Sequence, residues 1–174
     1  MNKSSNIDVS NAETLALSAT DERYLRQAIA ISKRSRQQGN HPFGSLLVST
    51  QGRLLLEGEN KGRTETDPTA HAERNVIIEA CNLLGAQALL GGTLYTSAEP
   101  CAMCAGTAYW AGLSKVVYGL SEVHLKAHIG PHPENLTMDL PCRTVFAAGQ
   151  RAIEVIGPAL EDEALEVHLG FWHK

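Results

Sequence analysis

Asp67-Pro68-Thr69-Ala70-His71-Ala72-Glu73 and Leu94-Tyr95-Thr96-Ser97-Ala98-Glu99-Pro100-Cys101-Ala102-Met103-Cys104-Ala105-Gly106 are the two stretches on which the fold turns. In the first, Asp67, Pro68 and Thr69 supply helix-start chemistry, and Val76, Ile77, Ala80, Leu83 and Leu84 follow at helical spacing as far as Gly85. In the second, Thr93 to Ser97 reads as a strand and Cys101 to Ala111 as a helix. His71 and Glu73 thus stand at the start of one helix. Cys101 and Cys104 stand at the start of another, three residues apart and so on one face.

Outward from this centre, Thr20 is placed to cap a helix with Asp21 and Glu22 in its first turn, Leu25, Ala28, Ile29 and Ser32 at helical spacing, and Gly39-Asn40 to end it. Phe43 to Thr50 and Arg53 to Glu59 read as the strands of an antiparallel hairpin about Gln51-Gly52, and Asn60 to Thr69 as a polar loop. Lys115 to Gly119 and Ala152 to Ile156 are further strands. Glu122 to Cys142, with Gly130, Pro131, Pro133 and Pro141, reads largely as loop, and loops of that length often line a site. Pro158 to Leu169 has the pattern of a terminal amphipathic helix, followed by the aromatic tail Gly170-Phe171-Trp172-His173. The alternation predicts an α/β sandwich: a polar leader over residues 1–19 and a single domain over 20–174.

With 174 residues, 43% of them hydrophobic, the chain can bury one sizeable core. A formal charge of −4 and a pI near 6.0 lack the basic excess of a tight phosphate-backbone binder, which makes nucleic acid a disfavoured partner. Lys33, Arg34 and Arg36 read as a solvated helix face. The opening residues lack the apolar run of a signal peptide or membrane span, so a cytoplasmic, membrane-free protein is expected. Four cysteines are too few for a disulfide scaffold, and two form a C-x-x-C pair, which points to metal or redox chemistry. Cys81 and Cys142 read as small buried side chains.

One histidine and two thiolates make three zinc ligands and leave the fourth tetrahedral position for water, the feature that separates catalytic zinc sites from closed structural ones. Glu73, two residues from the histidine, is placed to move a proton. A structural zinc site that recruits Cys81, Cys142 or His41 as a fourth ligand is the other reading, and it gives Glu73 no task. H-x-E followed by P-C-x-x-C is the signature of zinc nucleobase deaminases.

On both motifs and their flanks, from about Pro42 to Gly119, the chain resembles the cytidine deaminase-like zinc deaminases, in particular bacterial guanine deaminases and tRNA adenosine deaminases. The resemblance implies a three-layer α/β/α sandwich with a mixed central sheet, one Zn2+ per subunit held by His71, Cys101 and Cys104, Glu73 as the proton carrier, and a homodimer. Ala108-Tyr109-Trp110-Ala111 is similar to the guanine deaminase pattern, which implies hydrolysis of guanine to xanthine and ammonia. A tRNA adenosine substrate, a guanine nucleoside and an aminotriazine are the alternatives. Carried over onto this chain, Asn60 hydrogen-bonds the base and Phe43 packs on it, each with a plain structural reading beside it, as a turn residue and a core aromatic. Trp110 closes the other side of the base or sits in a subunit contact, and Phe171 and Trp172 cover the site or anchor the last helix. The second acid of guanine deaminases has no clean match here. Glu134 is the nearest candidate and Glu122 the alternative.

Overall fold

The computed structural model describes residues 17–172. Of the leader, residues 1–16 lie outside the described residues, as does His173 of the tail. Helix α1 spans Ala19–Gln37 and is capped by Ser18, two residues earlier than expected. The Ser18 hydroxyl accepts from the Asp21 N–H at 3.1 Å, with Asp21 and Glu22 in the first turn and Arg34 and Arg36 in the last, as the helix dipole favours.

Strands β1 (Gly44–Val48) and β2 (Leu54–Glu59) form the expected antiparallel hairpin, and β3 (Thr93–Ala98), β4 (Lys115–Leu120) and β5 (Glu154–Ile156) complete a five-stranded sheet ordered β2-β1-β3-β4-β5. β1 runs antiparallel to β2 and β3, while the β3–β4 and β4–β5 pairs are parallel. The sheet is mixed, as expected. Successive residues of the inner strands feed opposite faces. Leu46, Tyr95 and Val117 pack with Leu25, Ile29 and Ile31 of α1, and Leu47, Leu94 and Val116 with Val76, Ile77 and Ala80 of helix α2 (Ala72–Leu84). Helix α3 (Ala102–Trp110) joins α2 on that second face, giving three layers. Full burial of each such aliphatic side chain stabilises by about 1.5–3 kcal/mol.

The run after β4 departs from the expected loop. Helix α4 (Glu122–Ile129) starts on Ser121, whose hydroxyl accepts from the His124 N–H at 3.3 Å, and helix α5 (Cys142–Ala147) starts on Pro141. Both starts are tied to one carboxylate: Glu99 accepts from the Glu122 N–H at 3.2 Å and from the Cys142 N–H at 3.0 Å. These partners are distant in sequence, so local pattern does not reveal them. The terminal helix, α6, is shorter than expected, Glu161–Glu166, because the chain before it turns through Leu160 at φ 55°. No described helix is long and apolar enough to cross a membrane.

Candidate metal centre and cavity

His71 is the N-cap residue of α2 and Cys101 that of α3, and neither side chain makes a capping bond, which leaves the ring and the thiol free to face each other. The His71 Nδ1 atom lies 3.6 Å from Cys101 Sγ and 3.6 Å from Cys104 Sγ. Zinc–sulfur and zinc–nitrogen bonds at the tetrahedral angle put S and N about 3.6 Å apart. The three donors, all within 4.8 Å of one another, thus fit a tetrahedral zinc ion with one position left over. No other His, Cys, Asp or Glu group with metal-ligand spacing occurs among the described residues, so the three-residue set stands and His41, Cys81 and Cys142 stay outside it.

The electrostatics suit a cation. A hydrogen bond from the Cys104 thiol, with a further one from His71, pulls Cys101 down to about 4, so Cys101 is a thiolate at neutral pH. The same bond, with burial, holds Cys104 protonated. A divalent ion displaces that proton on binding. The N-termini of two helices meet here and favour negative sulfur.

Glu73, in the first turn of α2 and 5% exposed, accepts a hydrogen bond from the Thr96 hydroxyl of β3 at 2.9 Å. Burial raises its pKa above the ordinary carboxylate value. It borders a cavity of about 610 Å³ together with His71, Cys101, Asn60, Phe43 and Glu134, which brings six of the expected site residues to one place. Asn60 is buried at 2% exposure; its Oδ1 accepts from the Gly62 N–H at 3.0 Å, and its own N–H donates to Phe43 O at 3.1 Å. Phe43 lies edge-on to His168, with ring centroids 5.2 Å apart.

The remaining candidates are placed differently. Trp110 ends α3 with 86% of its surface exposed and does not border the cavity. Phe171 and Trp172 are buried and stand behind the wall: Trp172 stacks on His41 at 5.2 Å, and His41 borders the cavity. Neither borders the cavity directly. Glu134 borders the cavity at its rim, ion-paired with Arg63 and 3.1 Å from His41 Nε2; the Arg63 guanidinium and His41 hold its carboxyl down at about 2. A carboxylate so held takes up no proton near neutral pH. Glu122, in the first turn of α4, also borders the cavity, and burial lifts it to about 7, with the charges of Cys101 and Glu99 adding to the effect. Both acids that the sequence offers thus reach the cavity, Glu134 paired at its rim and Glu122 more buried, a difference of depth and pairing that sequence does not carry. Glu99 and Arg63, both on the cavity, had no sequence reading; an acid directly before Pro100-Cys101 was the available signal for Glu99.

Residues 18–120 match the family model of the cytidine and deoxycytidylate deaminase zinc-binding region. A probable cytosine deaminase of Schizosaccharomyces pombe is 35% identical over 165 residues, 90% of this chain and 94% of the relative. Two Bacillus subtilis proteins match over less of their length: a guanine deaminase, 43% identical over 98 residues (56% of this chain, 62% of the relative), and a tRNA-specific adenosine deaminase, 42% identical over 99 residues (57% and 61%). Among solved structures, one from a study of A-to-I editing by tRNA:A34 deaminases superposes with a TM-score of 0.67 at 27% identity, over 84% of this chain and 99% of the other. A guanine deaminase structure from Bacillus subtilis superposes with a TM-score of 0.59 at 33% identity, over 84% and 90%.

Proposed function

This chain belongs to the cytidine and deoxycytidylate deaminase zinc-binding family, and on that premise we propose that it hydrolyses the exocyclic amine of a free aminated base, guanine first, giving xanthine and ammonia. Zinc-dependent deamination of a nucleobase or nucleoside is common ground; the identity of the base is our own reading. One observation carries it: His71, Cys101, Glu73, Asn60 and Phe43 converge on a cavity of about 610 Å³, within the range of small-molecule sites.

When bound by His71, Cys101 and Cys104, zinc supplies water activation, making hydroxide available near neutral pH. Glu73 accepts one proton from water and passes it to a ring nitrogen as the C–O bond forms, then takes the second water proton from the new hydroxyl and delivers it to the amine as the C–N bond breaks. The Thr96 hydroxyl holds the Glu73 carboxylate in place between these transfers. Phe43 offers a flat apolar surface to the ring. Because Oδ1 of Asn60 already receives the Gly62 N–H, the amide of Asn60 faces the base chiefly as a donor. The wall at 133–138 leaves a pocket for a base more readily than a groove for a folded RNA, and the charge of −4 argues the same way. Cytosine is the second reading, favoured by the near full-length likeness to the probable cytosine deaminase. A cytoplasmic homodimer goes with either base: a second copy would cover Trp110, and a reducing compartment keeps the thiolates available. Light scattering of the purified protein checks the dimer.

The test is ammonia release and substrate loss with zinc-loaded protein on guanine, cytosine, their nucleosides and an adenosine-bearing tRNA stem-loop. Guanine is expected to be consumed with one ammonia per xanthine. Turnover of cytosine alone moves the assignment to the second reading, and turnover of the RNA alone overturns the free-base reading.

A further inference from the structure

Asn135 lies in the segment between α4 and α5 that walls the cavity, and nothing in the chemistry above uses it. Its backbone is fixed: its N–H donates to His132 O at 3.1 Å, and its carbonyl accepts from the Thr137 N–H at 3.0 Å, within an isolated bridge between His132 and Asn135. Its side-chain amide donor is uncommitted. The Nδ2 atom is shut off from solvent and has no hydrogen-bond acceptor among the described residues. Folded proteins rarely enclose an amide donor without giving it a partner, because the loss of water is then uncompensated.

The surroundings say where that partner comes from. Asn135 borders the cavity over the metal centre and also a second one, of about 840 Å³, walled by Val123, Lys126 and Ala127 of α4. Pro133, Asn135, Leu136 and Thr137 border both, so this part of the wall is a single layer of chain with space on each side. Asn135 borders the substrate cavity, and the terminal torsion of asparagine is soft and roughly two-fold, so its amide is not held to one orientation. The neighbouring Glu134 is held by Arg63 and His41 and offers only acceptors. Asn135 is thus the uncommitted donor of this wall.

We propose that Asn135 is a specificity-determining residue of the deaminase site, donating an amide hydrogen bond to an acceptor on the substrate ring, either a carbonyl oxygen or an unprotonated ring nitrogen. The proposal rests on the nucleobase reading above. It selects for bases with an acceptor on the edge that meets the 133–137 wall and against analogues in which a C–H replaces that acceptor.

Zinc-loaded wild type and Asn135→Leu are compared, a substitution near in volume whose backbone demands Asn135 meets without a positive φ. With whichever base the wild type turns over, the variant is expected to raise KM about tenfold or more, equivalent to about 1.4 kcal/mol, with kcat within about threefold. A KM within about twofold of wild type overturns the proposal. Thermal unfolding without ligand gives a second reading that needs no turnover. Removing an unpartnered donor leaves the variant as stable as wild type or more so, by on the order of 2 °C. A fall of more than about 4 °C marks Asn135 as a residue of the fold alone and overturns the proposal. Should the wild type deaminate none of the bases, their binding is read as a shift in unfolding temperature. A shift seen only when Asn135 is present supports the proposal while the deamination reading fails; equal shifts in both proteins, or none in either, overturn it.

Discussion

Replacing one oxygen of Glu73 by an NH2 group leaves its volume unchanged and removes its ability to carry a proton. Glu73→Gln is therefore expected to keep its zinc, measured by atomic absorption, and to lose about a hundredfold or more in kcat. Cys101→Ser, by contrast, should lose metal together with activity, since each donor contributes to the affinity. A Glu73→Gln enzyme with normal turnover would remove the proton-carrier role. The two other acids separate in the same way. Glu122→Gln should lower kcat by roughly tenfold or more, whereas Glu134→Gln, at the rim and paired with Arg63, should act mainly on KM; steady-state kinetics on the two variants decides between them. His71, Glu73, Cys101 and Cys104 were legible in the sequence because metal and proton chemistry accept few residue types, at spacings fixed by the helix starts. Trp110, Phe171 and Trp172 were less so, since an aromatic side chain has the same signature in a pocket, behind a wall or on an open surface.

At the scale of elements, the metal centre depends on how closely α2 lies on the sheet. A Cβ on Gly58 of β2 would sit 2.6 Å from Val76 Cβ and 2.7 Å from the backbone oxygen of Ala72, the residue next to His71. Gly58→Ala must therefore push the start of α2 off β2. We expect a loss of about 1–3 kcal/mol in urea unfolding together with weaker zinc retention against a chelator. Unchanged values of both would show that α2 can shift without moving His71. The strands and the three long helices were readable because their apolar period is unbroken over many residues. Helices α4 and α5 were not, because they are short, lie in a stretch rich in Pro and Gly, and are tied at their starts to Glu99, which stands on the far side of β4 in the chain.

At the scale of the whole molecule, a buried histidine links Trp172 to Phe43 of the body. His168 is 1% exposed, its Nδ1 accepts from Trp172 Nε1–H at 3.2 Å, and burial holds its pKa down at about 3. The unfolded chain binds this proton below about pH 6.5 and the folded chain does not, so the stabilisation is complete above that value and is lost as pH falls toward 3. Between pH 7 and pH 5 this removes roughly 2 kcal/mol, and His168→Gln should show a shallower fall of unfolding temperature over that interval. Parallel curves for the two proteins would place the acid sensitivity elsewhere. The Glu99 clamp bears on the molecule in another way. Residues 122 to 142 leave and return to the same carboxylate, while the metal donors and Glu73 all lie earlier in the chain. A single side chain thus anchors both ends of the excursion that brings Glu122 and Asn135 to the cavity. Chimeras joined at Ser121 and Pro141 keep both ends on Glu99 while exchanging the wall that faces the substrate, and a change in which base is consumed would place substrate choice in that wall.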